Sequence, residues 1–395
     1  MSKIVVTGLG IITPIGNSVA ENHTALKEGR SGLSQLELFP TKYATLLPFG
    51  EIKITNDNLK RQLGVIEKGV TRTTLLALHA FQQAVADAGI SEETLKESGT
   101  ALINGNTVGG MCLSDELYMD ANFNEVGTEY ISSYNLGSVN MYMQQRYDIG
   151  GVINTFNTAC SSSANAIAYG ARLIRNGFAK RAIVGGTDSL AKFTINGFNA
   201  LNILSSNPCR PFDAARSGLN LGEGAAFLIL EKAEDATNKK VYAEVSGWAN
   251  TNDSFHPSSL SDNGDGPYFA MKEALAVAGL QTSDIGFINA HGTATENNDE
   301  KEGIAMKRLF EKVPAFASTK SNIGHTLGAA GAVEAVFCIL NLLHQEVYKN
   351  LRFENPVEAT GLVPVTEYKQ MELKHVMSNS FGFGGNCSSL IFSKT

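Results

Sequence analysis

Thr158-Ala-Cys-Ser-Ser-Ser-Ala-Asn-Ala-Ile-Ala168 has a counterpart in the second half of the chain, Ile323-Gly-His-Thr-Leu-Gly-Ala-Ala-Gly-Ala-Val333. Each stretch sets a chemically versatile residue, Cys160 or His325, ahead of a run of Ala and Gly mixed with larger apolar side chains. That is the composition of a helix packed closely by its neighbours. Cys160 and His325 are therefore predicted at matching helix N-termini.

Working outward, the same punctuation recurs on either side. Residues 80–91 and 271–282 both carry helical apolar spacing and stop at Gly89 or Gly279, the usual residue just past a helix end. A short apolar strand follows in each case, 101–104 and 286–289, and a final strand closes each half at 224–231 and 387–393. Three matching units in one order point to an α/β fold written twice, with helices on sheet faces. The seam falls near Lys239-Lys240, dividing the chain into 1–239 with Cys160 and 240–395 with His291, Lys320 and His325. A pseudo-two-fold would bring Cys160 and His325 towards one centre. Strand direction does not follow from patterning alone.

At 395 residues the chain exceeds the size of a single growing core, which agrees with two packed halves. Its 43% hydrophobic and 18% charged content is that of an ordinary globular protein. The start, Met-Ser-Lys-Ile-Val-Val-Thr-Gly, lacks the apolar core of a signal peptide and reads as a first strand. Every apolar run is interrupted by Gly or a polar residue, so no membrane span of about eighteen residues is expected, and the protein should be soluble. Five scattered cysteines without CxxC spacing fit neither a disulfide framework nor a zinc site and suit a reducing cytosol. A net charge of −7 without a Lys/Arg run offers no footprint for nucleic acid.

Position separates the cysteines. A helix start carries roughly half a positive charge and unpaired N–H groups, which favour a thiolate. Cys160 has that placement, whereas Cys338, Cys112 and Cys209 read as packing. His291, in Asn289-Ala-His-Gly-Thr-Ala-Thr295, follows a strand in a Gly-flanked loop, and His325 is bracketed by Gly324 and Gly328. Neither has HExxH or other paired-ligand spacing, so no metal is expected. Glu334 is the single charge between Ile323 and Leu340. An isolated carboxylate in an apolar helix needs a partner, and Lys320 is the nearest candidate. Gly8-Leu-Gly10, taken as following the first strand, and Phe381-Gly-Phe-Gly-Gly385 both fail as dinucleotide loops. The second suggests a loop presenting backbone N–H groups, with Phe383 placed to swing as a lid.

Taken together, these segments resemble the elongating β-ketoacyl-acyl-carrier-protein synthases, the Cys-His-His condensing enzymes of the thiolase superfamily. The resemblance spans the chain through Thr158-Ala-Cys-Ser-Ser-Ser-Ala, Leu204-Ser-Ser, Cys209-Arg-Pro-Phe-Asp, Leu221-Gly-Glu-Gly-Ala, His291-Gly-Thr-Ala-Thr, Lys320-Ser-Asn-Ile-Gly-His-Thr-Leu-Gly-Ala-Ala-Gly and Asn379-Ser-Phe-Gly-Phe-Gly-Gly. It implies a duplicated thiolase fold, two βαβαβ-type halves in five α-β-α-β-α layers. It further implies that Cys160 accepts an acyl group from a carrier's phosphopantetheine, after which malonyl carrier loses carbon dioxide and attacks it. His291 and His325 would stabilise the enolate, Lys320 with Glu334 would fix the local charge, and the N–H groups of Cys160 and Phe383 would form an oxyanion hole. Thr293, Thr295 and Ser258 match positions along the pantetheine arm, and Val108 and Phe198 match the acyl pocket and its gate.

No tightly bound cofactor is implied, phosphopantetheine arriving with its carrier. The implied partners are acyl carrier protein and a second identical or related subunit, and the implied compartment is the cytoplasm. Lys68 and Arg72 are candidate carrier contacts. The chain departs from the family pattern at Glu296, at Asn386-Cys387 and at His256-Pro-Ser258, all expected in loops around the pocket. A thiolase without decarboxylation, a chain-length partner subunit and a Cys-His hydrolase are the competing assignments.

Overall fold

The computed structural model describes residues 2–123 and 131–395. Ten strands form one mixed sheet: β1 (Ile4–Ile12), β2 (Thr100–Gly105), β3 (Ile153–Phe156), β4 (Arg181–Asp188), β5 (Gly224–Lys232), β6 (Ala243–Asn252), β7 (Ile285–Asn289), β8 (Ala315–Ala317), β9 (His375–Phe381) and β10 (Asn386–Ser393). Outward from the centre, the first half runs β1-β5-β4-β2-β3 and the second β6-β10-β9-β7-β8. Adding five to each label of the first half gives the second. The directions repeat as well: antiparallel for β1–β5 and β4–β5, parallel for β2–β4 and β2–β3. The same holds for β6–β10, β9–β10, β7–β9 and β7–β8 in turn. The halves join where Val5 and Val6 pair antiparallel with Glu244 and Ala243.

The major helices complete the layers. α1 (Arg72–Asp87) covers the outer face of β1, β4 and β5, and α3 (Asp265–Ala278) does the same for β6 and β10. α2 (Ser162–Arg175) and α5 (Ala330–His344) pack on each other between the two half-sheets. α4 (Glu296–Leu309) lies against α3. The result is the duplicated α/β arrangement predicted from the repeat, in the five layers that the family resemblance implied. Gly89 and Gly279 follow α1 and α3 with φ of 62° and 68°, the left-handed conformation that glycine adopts freely.

Two expectations are corrected. Gly8 and Gly10 lie inside β1, not after it, because α1 passes so close that a Cβ on Gly10 would sit 1.9 Å from the carbonyl oxygen of Ala80. The 18-residue stretch Leu327–His344 is long and apolar enough to cross a membrane, contrary to the expectation of none. It is the central helix of the fold, with 89% of its residues buried. Its single charge, Glu334, is neutralised inside the protein, so a core helix and a membrane helix share one composition here.

Candidate active site

Cys160 is 7% exposed and sits just before α2, in a turn where Ala159 takes a left-handed φ of 52°. Ser161 and Ser162 secure that turn: their hydroxyls donate to the carbonyls of Thr158 and Ala159 at 2.7 and 2.5 Å. The N–H groups of Cys160 and Phe383 both face the sulfur and draw its pKa down, as does Lys320. Burial nevertheless dominates and pushes the thiol up to about 11. The helix start therefore does not lower this thiol as its position suggested, because desolvation outweighs the favourable dipoles.

His325 Nε2 lies 3.0 Å from Cys160 Sγ. Leu327 N–H donates to the other ring nitrogen, Nδ1, at 3.1 Å, so the neutral ring carries its proton on Nε2, facing the sulfur. His291 is arranged alike. The Lys320 ammonium donates to its carbonyl oxygen at 2.7 Å and lies 3.4 Å from Nδ1, leaving Nε2 to hold the proton. The two rings stand edge to face with centroids 5.4 Å apart. Burial, and secondarily the charge of Lys320, hold both well below the usual histidine range. Two neutral imidazoles therefore present N–H donors to one cavity. Among the described residues, Cys160, His291 and His325 are also the donors grouped tightly enough to hold a metal ion, within 4.8 Å of one another.

Behind the histidines, Lys320 donates to Glu334 at 2.5 Å with both side chains 2% exposed. This is the pairing predicted from the isolated carboxylate. Burial lifts Glu334 to about 7 against the opposing pull of Lys320.

Further supports were not anticipated. Glu302 accepts from the N–H groups of His291 and Gly292, each at 2.9 Å. Asp299 accepts from Phe212 and Ala294, whose φ of 62° and 66° are left-handed. Asp188 accepts from Thr107, Val108 and Gly328, tying the end of β4 to the turn beyond His325. The spacing of Asp299 and Glu302 on one helix face directly after the His291 loop was the available signal. Asp188 left none, since its partners, the Thr107 hydroxyl and the backbone N–H groups of Thr107, Val108 and Gly328, are remote in sequence.

A cavity of about 450 Å³ opens above Cys160, His291 and His325. Thr293, Thr295, Ser258 and Phe198 line it as expected, and Phe383 stands at its edge, 36% exposed and stacked on Phe198 at 5.9 Å. Val108 does not line it: fully buried, it packs in an apolar cluster with Leu190, Ile195 and Leu327 while its N–H is held by Asp188.

Other placements differ from expectation. Glu296 opens α4 instead of lying in a loop, and Asn386 opens β10, where its Oδ1 accepts from Ser161, Asn165 and Asn250. Of the departing positions, only His256-Pro-Ser258 remains in a loop. Cys338, Cys209 and Cys387 are buried, and Cys112 is partly exposed. Arg72 is no surface contact: it is buried in a two-pronged bond to Glu223, whereas Lys68 is exposed.

A thiol between two neutral imidazole donors and two backbone N–H groups, at the centre of a duplicated α/β fold, defines a thiolase-type condensing enzyme. The chain is matched over residues 1–236 by the model of the beta-ketoacyl synthase N-terminal domain and over 242–354 by that of the C-terminal domain. It belongs to the beta-ketoacyl synthase family, a family of acyltransferases. It is 35% identical to a putative mitochondrial 3-oxoacyl-[acyl-carrier-protein] synthase of Schizosaccharomyces pombe, covering 100% of this chain and 99% of that one. It is 32% identical to 3-oxoacyl-[acyl-carrier-protein] synthase 2 of Vibrio cholerae, with 99% of both chains covered. Among solved structures, a chain of the ishigamide ketosynthase/chain length factor superposes with a TM-score of 0.93 at 28% identity, covering 100% of this chain and 99% of that one. A chain of the Xenorhabdus doucetiae complex of ketosynthase ApeO with its chain length factor ApeC matches with a TM-score of 0.86 at 30% identity, covering 100% of this chain and 98% of that one.

Proposed function

We propose that this protein joins an acyl group to malonyl-acyl carrier protein by decarboxylative Claisen condensation, giving 3-oxoacyl carrier protein and carbon dioxide. The observation that carries this is the convergence of four N–H donors, two imidazole and two backbone, around one thiol. Cys160 sulfur attacks the acyl thioester, the carrier thiol leaves with a proton, and the acyl group rests on Cys160. The Cys160 and Phe383 N–H groups stabilise the oxyanion of each tetrahedral intermediate. Malonyl thioester then loses carbon dioxide, and the electron pair of the broken C–C bond passes into an enolate whose oxygen accepts from His291 and His325 Nε2–H. The α-carbon attacks the acyl carbonyl and expels Cys160, which regains a proton.

Lys320 and Glu334 act as positioning residues behind His291, Thr293, Thr295 and Ser258 contact the pantetheine arm, and Phe198 with Phe383 forms the gate. Acyl groups arrive on a carrier, and no further cofactor takes part. The nucleophile half is 1–239 and the histidine half 240–395. The second subunit is identical or a related ketosynthase-like chain, the latter supported by the ketosynthase/chain length factor pairs among the solved relatives. The intact Cys160 favours the catalytic over the chain-length role. The free cysteines support a reducing compartment, which we take to be the cytoplasm. The mitochondrial 3-oxoacyl-[acyl-carrier-protein] synthases of Schizosaccharomyces pombe and Arabidopsis thaliana among the relatives define the alternative.

Incubation with acyl and malonyl carrier proteins, followed by mass spectrometry of the carrier, tests the assignment. Wild type is expected to yield 3-oxoacyl carrier, and Cys160→Ala to lose roughly a thousandfold or more in condensation. Unimpaired condensation by Cys160→Ala, or free acid as the only product, would overturn it.

A further inference from the structure

Among the described residues, the cavity above Cys160 has one formally charged side chain in its lining, that of Glu296. The other lining side chains are apolar, hydroxyl, amide or imidazole groups. The imidazoles are held neutral, as described, and Lys320 lies behind the floor, engaged with Glu334 and the His291 carbonyl. Among the described residues, no cationic side chain lines the cavity beside the carboxylate.

The local construction leaves this one group unengaged. Thr295 pairs through its hydroxyl with Thr293 at 2.8 Å. Asn297 accepts from Leu260 N–H at 2.8 Å and donates to its carbonyl at 3.2 Å. Asn298 donates to Asp299 at 3.1 Å. The backbone beneath is anchored by buried Arg216, which donates to the carbonyls of Thr295 at 3.2 Å and Glu296 at 2.6 Å. Among the described residues, the Glu296 carboxylate itself has neither a hydrogen-bond nor an ion-pair partner. An acidic residue in the first turn of a helix is ordinary on its own. An exposed carboxylate without an ion-pair partner, on the wall of the cavity through which thioesters must pass, has a second consequence.

We propose that Glu296 is a specificity-determining residue, an electrostatic filter at the cavity mouth that selects against thioesters bearing several anionic groups. The disfavoured class is the coenzyme A ester, with its diphosphate and 3′-phosphate, relative to the single phosphodiester of a carrier-borne arm. The inference rests on the condensing-enzyme function proposed above. Repulsion grows with each charge on the ligand and is screened by salt over a Debye length of about 10 Å at 0.1 M. It therefore falls hardest on coenzyme A and at low ionic strength.

The test measures acylation of Cys160 by intact mass, using one acyl group on coenzyme A or on uncharged N-acetylcysteamine, at about 20 mM and about 500 mM salt. For Glu296→Gln, the ratio of coenzyme A to N-acetylcysteamine acylation rates is expected to rise roughly three- to tenfold at low salt and to return towards the wild-type value at high salt. Glu296→Lys should raise it further, and Glu296→Asp should preserve the wild-type ratio. Equal ratios in wild type, Glu296→Gln and Glu296→Lys at low salt would overturn the filter, as would a change of equal size at both salt concentrations. Condensation is scored separately from the malonyl-carrier product. Its absence would remove the proposed function while the acylation ratio still decides the role of Glu296.

Discussion

Residues 158–175 and 323–344 occupy equivalent places in the two halves, each leading into a helix buried between the half-sheets. In the first, a left-handed Ala159 turns the chain so that Cys160 immediately precedes the helix, with its own N–H facing its sulfur. In the second, the tight turn Leu327–Ala329 intervenes, so His325 stands farther from its helix, and Leu327 N–H is spent on the imidazole. The second copy also carries Lys320 and Glu334, a charge pair for which the first has the uncharged Thr155 and Tyr169 at the equivalent positions. One ancestral-looking unit thus serves two roles: the first start leaves backbone donors free for a reacting oxygen, and the second uses them to fix which nitrogen holds the proton. The divergence lies in a few residues of turn geometry, not in the framework.

The comparison breaks most readily at Cys160. If burial governs its thiol as the structure indicates, the pKa near 11 leaves the thiolate a small, growing fraction throughout the neutral and mildly alkaline range. Alkylation by iodoacetamide should then rise about a hundredfold between pH 8 and pH 10, tenfold per unit, since the thiolate is the reacting species. Folded-state reactivity followed by intact mass checks this. A plateau above pH 8 would mean that the helix start and its N–H groups prevail over desolvation, restoring the expectation drawn from position alone.

That reversal shows where the sequence was legible and where it was not. The framework could be read because it rests on local signals: the apolar periods of α1 and α3, their terminating glycines and the Ala/Gly-rich stretches of α2 and α5. Strand direction could not, because strands such as β2 and β5 are buried almost throughout and show no alternation. Lys320–Glu334 was visible since an apolar helix with one carboxylate demands a cation. Arg72 was misplaced because its partner, Glu223, is 151 residues away. The direction of the Cys160 shift required knowing how deeply the sulfur is buried, which no spacing conveys.

The second region can be sharpened through its charge pair. Lys320→Met leaves Glu334 buried without its cation, and removal of one partner from such a pair typically costs about 3–5 kcal/mol. The double variant Lys320→Met/Glu334→Gln should recover most of that loss, because no unpaired charge remains. Urea unfolding monitored by fluorescence measures both. A Lys320→Met protein as stable as wild type would show that Glu334 is already protonated at the pH used, consistent with its rise to about 7, and that the pair contributes little as a charge interaction.

The smallest expected effect concerns what holds the first helix start against the second half of the chain. Asn386, at the beginning of β10, accepts through one oxygen from Ser161 at 2.6 Å, Asn165 at 3.0 Å and Asn250 at 2.6 Å. Ser161 and Asn165 lie directly after the nucleophile, so the same strand pair that carries Phe383 also braces the turn of Cys160. Asn386→Ala removes the shared acceptor, but Ser161 keeps the Thr158 carbonyl, Asn165 keeps the Thr158 hydroxyl, and Asn250 keeps Ser388. The cost in unfolding free energy should therefore stay near 1–2 kcal/mol, about the value of one hydrogen-bond acceptor lost from a partly buried network. A corresponding drop in Cys160 acylation, of the same proportion when Asn386→Ala is added to His325→Ala, would locate the brace in the first copy. Stability lost without any change in acylation would instead confine Asn386 to joining the halves.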